Sequence, residues 1–167
     1  MIEIDLTCPN CGGRLEININ IEKSFCPYCN SEFSVYRILN EKLKEVRKIC
    51  QSFPDTPPYT MSSENIKDTE LYKNLQTYLD IPSDEDAFFA CDLSFWESGK
   101  KGFIIGKSGL YLRGDGMKTS RYLPWSQFKI ASLYGISSLV IDDINFSSNE
   151  ILNIRLCDLL RKIQKII

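Results

Sequence analysis

The spacing of apolar positions changes twice along the chain, and each change predicts a different kind of element. Ile2, Ile4 and Leu6 alternate with polar residues, as do Leu15, Ile17, Ile19 and Ile21 with Glu16, Asn18, Asn20 and Glu22. A period of two predicts strands. Phe33 and Val35 extend the pattern, so residues 1–36 read as a three-stranded ribbon. Leu39, Leu43, Val46, Cys50 and Phe53 then recur every three or four residues, with charges between them. That is an amphipathic helix over 36–53. Its apolar stripe is narrow, and packing on its own domain is the simpler use for it; a dimer seam is the other. Pro54, Pro57 and Pro58 stop the helix and mark a linker. Leu71, Leu75, Tyr78 and Leu79 predict a second helix over 63–80, closed by the acidic turn Ile81–Asp86. Residues 37–85 thus read as a helical connector.

From Ala87 the pattern becomes short β segments punctuated by glycine. Strands are predicted near 87–95, 101–106, 109–114, 119–125, 127–133, 137–141 and 144–146, with turns at Gly106–Gly109 and Gly114–Gly116. Seven short strands at this spacing argue for an antiparallel barrel or sandwich. Ser147-Ser-Asn-Glu150 has capping-box spacing, with Phe146 and Ile151 placed as a hydrophobic staple. Leu152, Leu156, Leu159, Leu160, Ile163 and Ile167 share one face of the helix that follows. Such a helix suits the open end of a seven-stranded barrel. The fold class expected is α+β.

Composition narrows the chemistry. The chain has 167 residues, seven cysteines and no histidine. Its length suits one domain or two small ones. Without histidine, Ser-His-Asp and Cys-His catalysis are excluded, and a metal must be held by thiolate or carboxylate. There is no signal-peptide pattern and no apolar run near the ~20 residues of a membrane span. A cytoplasmic protein is expected, and in a reducing compartment paired cysteines read as metal ligands rather than disulfides.

Cys8-Pro9-Asn10-Cys11 and Cys26-Pro27-Tyr28-Cys29 are two C-x-x-C pairs separated by fourteen residues. Each pair makes a tight knuckle that aims two thiolates at one ion. Proline after the first cysteine sets φ for the turn. Gly12 and Asn30, just past each pair, tolerate a left-handed exit. Four thiolates in tetrahedral array suit Zn²⁺, and a closed set of four is structural rather than catalytic. Iron can use the same ligands. A redox use of C-x-x-C belongs in a thioredoxin-like context that this sequence lacks. Cys50, Cys91 and Cys157 fall in apolar stretches and read as buried thiols.

The Cys-Pro-x-Cys knuckles and their spacing resemble the zinc ribbon family, over residues 1–36. Gly102-Phe-Ile-Ile-Gly106, Gly109-Leu-Tyr-Leu112 and Leu123-Pro-Trp125-Ser-Gln-Phe128, with the final helix, resemble bacterial PH-like or GRAM-like domains, over about 86–167. The second resemblance implies a non-enzymatic domain that binds proteins, peptides or phosphoinositides. The chain departs from lipid-binding members in lacking their long basic first hairpin. Lys100, Lys101, Lys107 and Arg113 are the candidate contacts for an anionic headgroup. The plainer use of such residues is to blunt exposed strand edges.

Charge weighs against nucleic acid. The net charge is -2 and the pI about 5.3, whereas a nucleic-acid-binding domain is commonly above ~9. Residues 1–35 hold only Arg14 and Lys23 as cations, and the thiolates add negative charge. The functional expectation is therefore a zinc-stabilised, non-enzymatic adaptor that binds another protein. Recognition of an anionic membrane surface is the alternative, nucleic-acid binding through the ribbon and helix 36–53 a second one, and self-association is open.

Overall fold

The computed structural model describes residues 3–18, 22–55, 59–62, 65–94 and 98–167. Ile2, Ile19 and Ile21, the linker prolines Pro57 and Pro58, and the predicted ends of the second helix at 63–64 and of the strand at 95 lie outside the described residues. Among the described residues no helix is long and apolar enough to cross a membrane. The chain is mixed α+β, with all strand pairs antiparallel.

The N-terminal part forms two separate hairpins rather than one three-stranded ribbon. β1 (Glu3–Thr7) pairs with β2 (Arg14–Asn18), and β3 (Lys23–Phe25) pairs with β4 (Glu32–Ser34). Each turns through one of the cysteine pairs. Val35, read as strand, is the first residue of helix α1 (Val35–Ser52), because the Ser34 side chain caps it by accepting from Arg37 N–H. α1 ties the hairpins to the rest of the fold. Val35 is buried with Cys8, Leu15, Cys26 and Phe33, and Leu43, Val46 and Cys50 are buried in the main core. Leu39 packs against both clusters.

The main core is built around a five-stranded sheet in sequence order: β5 (Thr60–Met61), β6 (Ala87–Asp92), β7 (Gly102–Gly106), β8 (Gly109–Arg113) and β9 (Arg121–Pro124). Its central strands are buried on both faces. Phe103, Ile105, Leu110 and Leu112 face a cluster shared with α1 and the C-terminal helix, while Ile104 and Tyr111 face the opposite one. In β6 a register shift between Ala87 and Phe89 breaks the alternation, so Phe88 and Phe89 both join the first cluster. Two-sided burial is why these strands read as continuous apolar runs.

The opposite face is covered by a helical segment that is shorter than predicted. Ile66–Asp68 forms a 3₁₀ turn, and Thr69 then caps α2 (Glu70–Gln76) by accepting from Tyr72 N–H at 3.2 Å. Leu71, Tyr72 and Leu75 pack on Ala90 and Ile104.

No closed seven-stranded barrel forms among the described residues. Seven strands do follow Ala87, in two sheets. After β9, the segment predicted as a strand over 127–133 begins instead with a helical turn, α3 (Trp125–Phe128). Pro124 fixes its entry at φ -62°, and Trp125 and Phe128, three apart, meet edge-to-face at 5.8 Å in the core. β10 (Leu133–Gly135), β11 (Leu139–Ile141) and β12 (Ile144–Phe146) make a separate three-stranded sheet. Helix α4 (Glu150–Ile166) packs on it and on α1.

The start of α4 differs from the capping box read in the sequence. Asn149 is the cap and accepts from Ile151 N–H at 2.9 Å, while Ser147 bonds Asp115 instead. Ile151 is 69% exposed, so no staple forms. Asn149→Ala should therefore cost about 1 kcal/mol in denaturant unfolding, whereas Ile151→Ala should leave the midpoint nearly unchanged.

Candidate metal centre

The two knuckles adopt the same backbone course. In the first, Cys8 N–H donates to Gly13 O at 2.8 Å and Gly12 N–H to Cys8 O at 2.9 Å. In the second, Cys26 N–H donates to Ser31 O at 3.0 Å and Asn30 N–H to Cys26 O at 2.9 Å. Gly12 and Asn30 leave each turn at φ +73° and +55°. Only residues that tolerate left-handed backbone fit there. Each turn also aims an amide at its first sulfur: Asn10 N–H to Cys8 Sγ and Tyr28 N–H to Cys26 Sγ, both at 3.4 Å.

The hairpins bring these turns face to face. Sγ of Cys8 lies 3.7 Å from Sγ of Cys29, and Sγ of Cys11 lies 3.6 Å from Sγ of Cys26. All four sulfurs fall within 4.8 Å of one another. Four thiolates bound at ~2.3 Å in a tetrahedron would sit ~3.8 Å apart along each edge. The donor set therefore fits a metal ion. Cys8 and Cys26 are buried, and Cys11 is exposed at the tip.

Two further residues tune the thiolates, and the motif alone did not single them out. Ser31 Oγ lies 3.0 Å from Cys29 Sγ and 3.7 Å from Cys8 Sγ. Asn10 Nδ2 donates to Cys29 Sγ at 3.6 Å. The Ser31 hydroxyl, its backbone amide and Asn10 lower the Cys29 thiol to about 5. Cys8 is lowered chiefly by a backbone N–H at Cys11. Hydrogen bonds to the charged form do this in general. Asn10 sits inside the first knuckle, so its position was visible in the sequence. Ser31 reaches across to the other pair, and only the assembled site reveals that.

The remaining thiols lie in apolar surroundings. Burial raises Cys50 to about 12 and Cys91 well above the ordinary thiol range. Cys157 is also raised by burial.

The four basic candidates do not converge. Lys101 pairs with Asp115 at 3.0 Å and donates to Ser147 O at 2.6 Å. Arg113 donates to Met117 O at 3.1 Å and lies over the Tyr78 ring at 5.3 Å. Lys100 and Lys107 are exposed, but they flank opposite ends of β7, a strand of five residues spanning ~17 Å.

No family model, curated protein or solved structure matches the chain.

Two outcomes test the centre. The purified chain should carry a single ion, and Cys26→Ser should lose it and melt the hairpins while the five-stranded sheet keeps its amide-exchange protection. Ser31→Ala should raise the pH at which the ion is released. The Ser31 hydroxyl holds Cys29 as thiolate to lower pH, so without it protons compete with the metal earlier on acidification. A release midpoint that stays put on this substitution would show that Ser31 has no such role.

Proposed function

We propose that the ion is zinc and that the chain is a non-enzymatic adaptor of the cytoplasm, binding other proteins through its metal-held hairpins and through a C-terminal PH-like domain. Four thiolates favour zinc, and a closed set leaves no position for a substrate or an activated water. They also need a reducing compartment to stay unpaired.

The observation that carries the docking role is a pair of aromatics left in solvent on the cysteine-bearing hairpins. Phe25 is 63% exposed and Tyr28 69%. Phe25 and Tyr28 border a cleft of about 370 Å³ together with Arg14 and Pro27. Tyr28 also lies so close to Gly13 that an added Cβ would stand 2.5 Å from its ring. Exposed aromatics on a backbone fixed by a metal are pre-ordered anchors, the kind of residue that dominates protein interfaces. The PH-like reading is supported by order: four strands β6–β9 in one sheet, three strands β10–β12 in another, then α4. A membrane role has less support, because Lys101 and Arg113 are held by neighbours within the fold.

Metal analysis of protein from unsupplemented cells should find zinc; a coloured iron–thiolate protein would overturn the zinc assignment. In cross-linked pull-downs from the native host, a partner recovered by the intact chain should be lost with Phe25→Ser/Tyr28→Ser. Recovery of the same partner by that variant would remove the hairpins from the interface.

A further inference from the structure

The acidic turn that closes α2 does not simply face water. Glu85 is buried, with 7% exposure. Its Oε1 accepts from Ser108 N–H at 3.0 Å, and its Oε2 accepts from Tyr111 OH at 2.7 Å and from the Ser108 hydroxyl. The site exists because residue 106 is glycine: a Cβ there would stand 2.4 Å from Glu85 Oε1. All three donors are neutral, and Glu85 forms no ion pair among the described residues. A buried carboxylate held by neutral donors leaves its charge uncompensated.

That carboxylate forms part of the wall of a cleft of about 620 Å³, between α1, the turn 80–86 and the β7–β8 hairpin. Tyr111 and Tyr122 stack at 4.9 Å, and Trp125 donates its indole N–H to Lys107 O at 2.8 Å. All three rings line the cleft, and Tyr122 is 42% exposed. Asp80, Asp84 and Asp86 line it as well. Asp86 is paired with Arg47 at 2.5 Å and Asp80 accepts from Ser120 Oγ at 2.6 Å. Asp84 is exposed and forms no ion pair among the described residues. Among the described residues one cation, Lys107, borders the cleft, and it is exposed. Carboxylates around aromatic faces attract an alkylammonium or guanidinium group and repel anions.

We infer that this cleft receives a lysine or arginine side chain of a basic peptide segment in a partner protein. The inference rests on the adaptor reading and adds the chemistry of the partner. The cation would sit over the exposed ring of Tyr122, facing Asp84, with the Glu85 carboxylate in the wall behind.

The test uses the full chain with its metal bound and a fluorescein-labelled peptide of three lysines spaced by glycine, read by anisotropy. The lysine peptide should bind at low salt, and its acetyl-lysine and glutamate counterparts should not. Tyr122→Ala should weaken binding roughly three- to thirtyfold, and Asp84→Asn about threefold. Tyr122→Phe, which keeps the ring and removes the hydroxyl, should retain it, and the remote Lys100→Ala should change nothing. Thermal melts of each variant establish that it is folded. No binding of the lysine peptide, or binding indifferent to both Tyr122→Ala and Asp84→Asn, overturns the proposal. So does free lysine amide binding as tightly as the peptide, which would make the cleft a small-amine site. Loss of the partner with Phe25→Ser/Tyr28→Ser beside failure of the lysine peptide would leave the adaptor reading standing and remove this inference alone.

Discussion

The five-stranded sheet has to be covered on both of its faces, and most of the architecture answers that requirement. Phe103, Ile105, Leu110 and Leu112 project to one side, Ile104 and Tyr111 to the other, and all are buried. A sheet with one polar face can meet water or curl into a barrel around a single core. This one cannot, because either exposed face would leave a large apolar area in solvent. α2 and its 3₁₀ turn therefore pack on one side. α1, α4 and the three-stranded sheet close the other. The segment from α1 to α2 is thus structural cover as much as connection.

The cysteine-bearing hairpins stand under a different constraint. Among the described residues their core holds Cys8, Leu15, Cys26, Phe33 and Val35. Pieces of some ~30 residues seldom hold together on hydrophobic burial alone, and an ion held by the four cysteines would supply the missing free energy. α1 links the two regimes, with Val35 in the small core, Cys50 in the large one and Leu39 touching both. The hairpins can then display Phe25 and Tyr28 in water without loss of order, which is the physical basis for proposing that they dock a partner.

What could be read from the sequence followed the range of the interactions involved. The cysteine spacing, the prolines after each first cysteine and the left-handed exits at Gly12 and Asn30 are local, and they led directly to the four-sulfur cluster. α1 and α4 were legible because their periodicity runs over four or more turns. The misread elements were short. Residues 127–133 looked like a strand, but Pro124 with a Trp125–Phe128 pair three apart makes a helical turn. Ser147 fitted a capping box by spacing, yet Asp115, 32 residues away, holds it, and Asn149 caps the helix.

The sequence by itself determined the four-cysteine cluster, the exclusion of histidine chemistry, the α+β class and the long helices, because each rests on residue identity or on a period of a few residues. Only the tertiary structure decided that the strands form two covered sheets rather than a closed barrel, and that Lys101 and Arg113 are held within the fold. It alone placed Glu85, from the acidic turn 81–86, in the wall of an aromatic cleft beside Ser108 and Tyr111. The places of Lys101 and Glu85 depend on contacts between residues 14 to 46 positions apart, which no local pattern encodes.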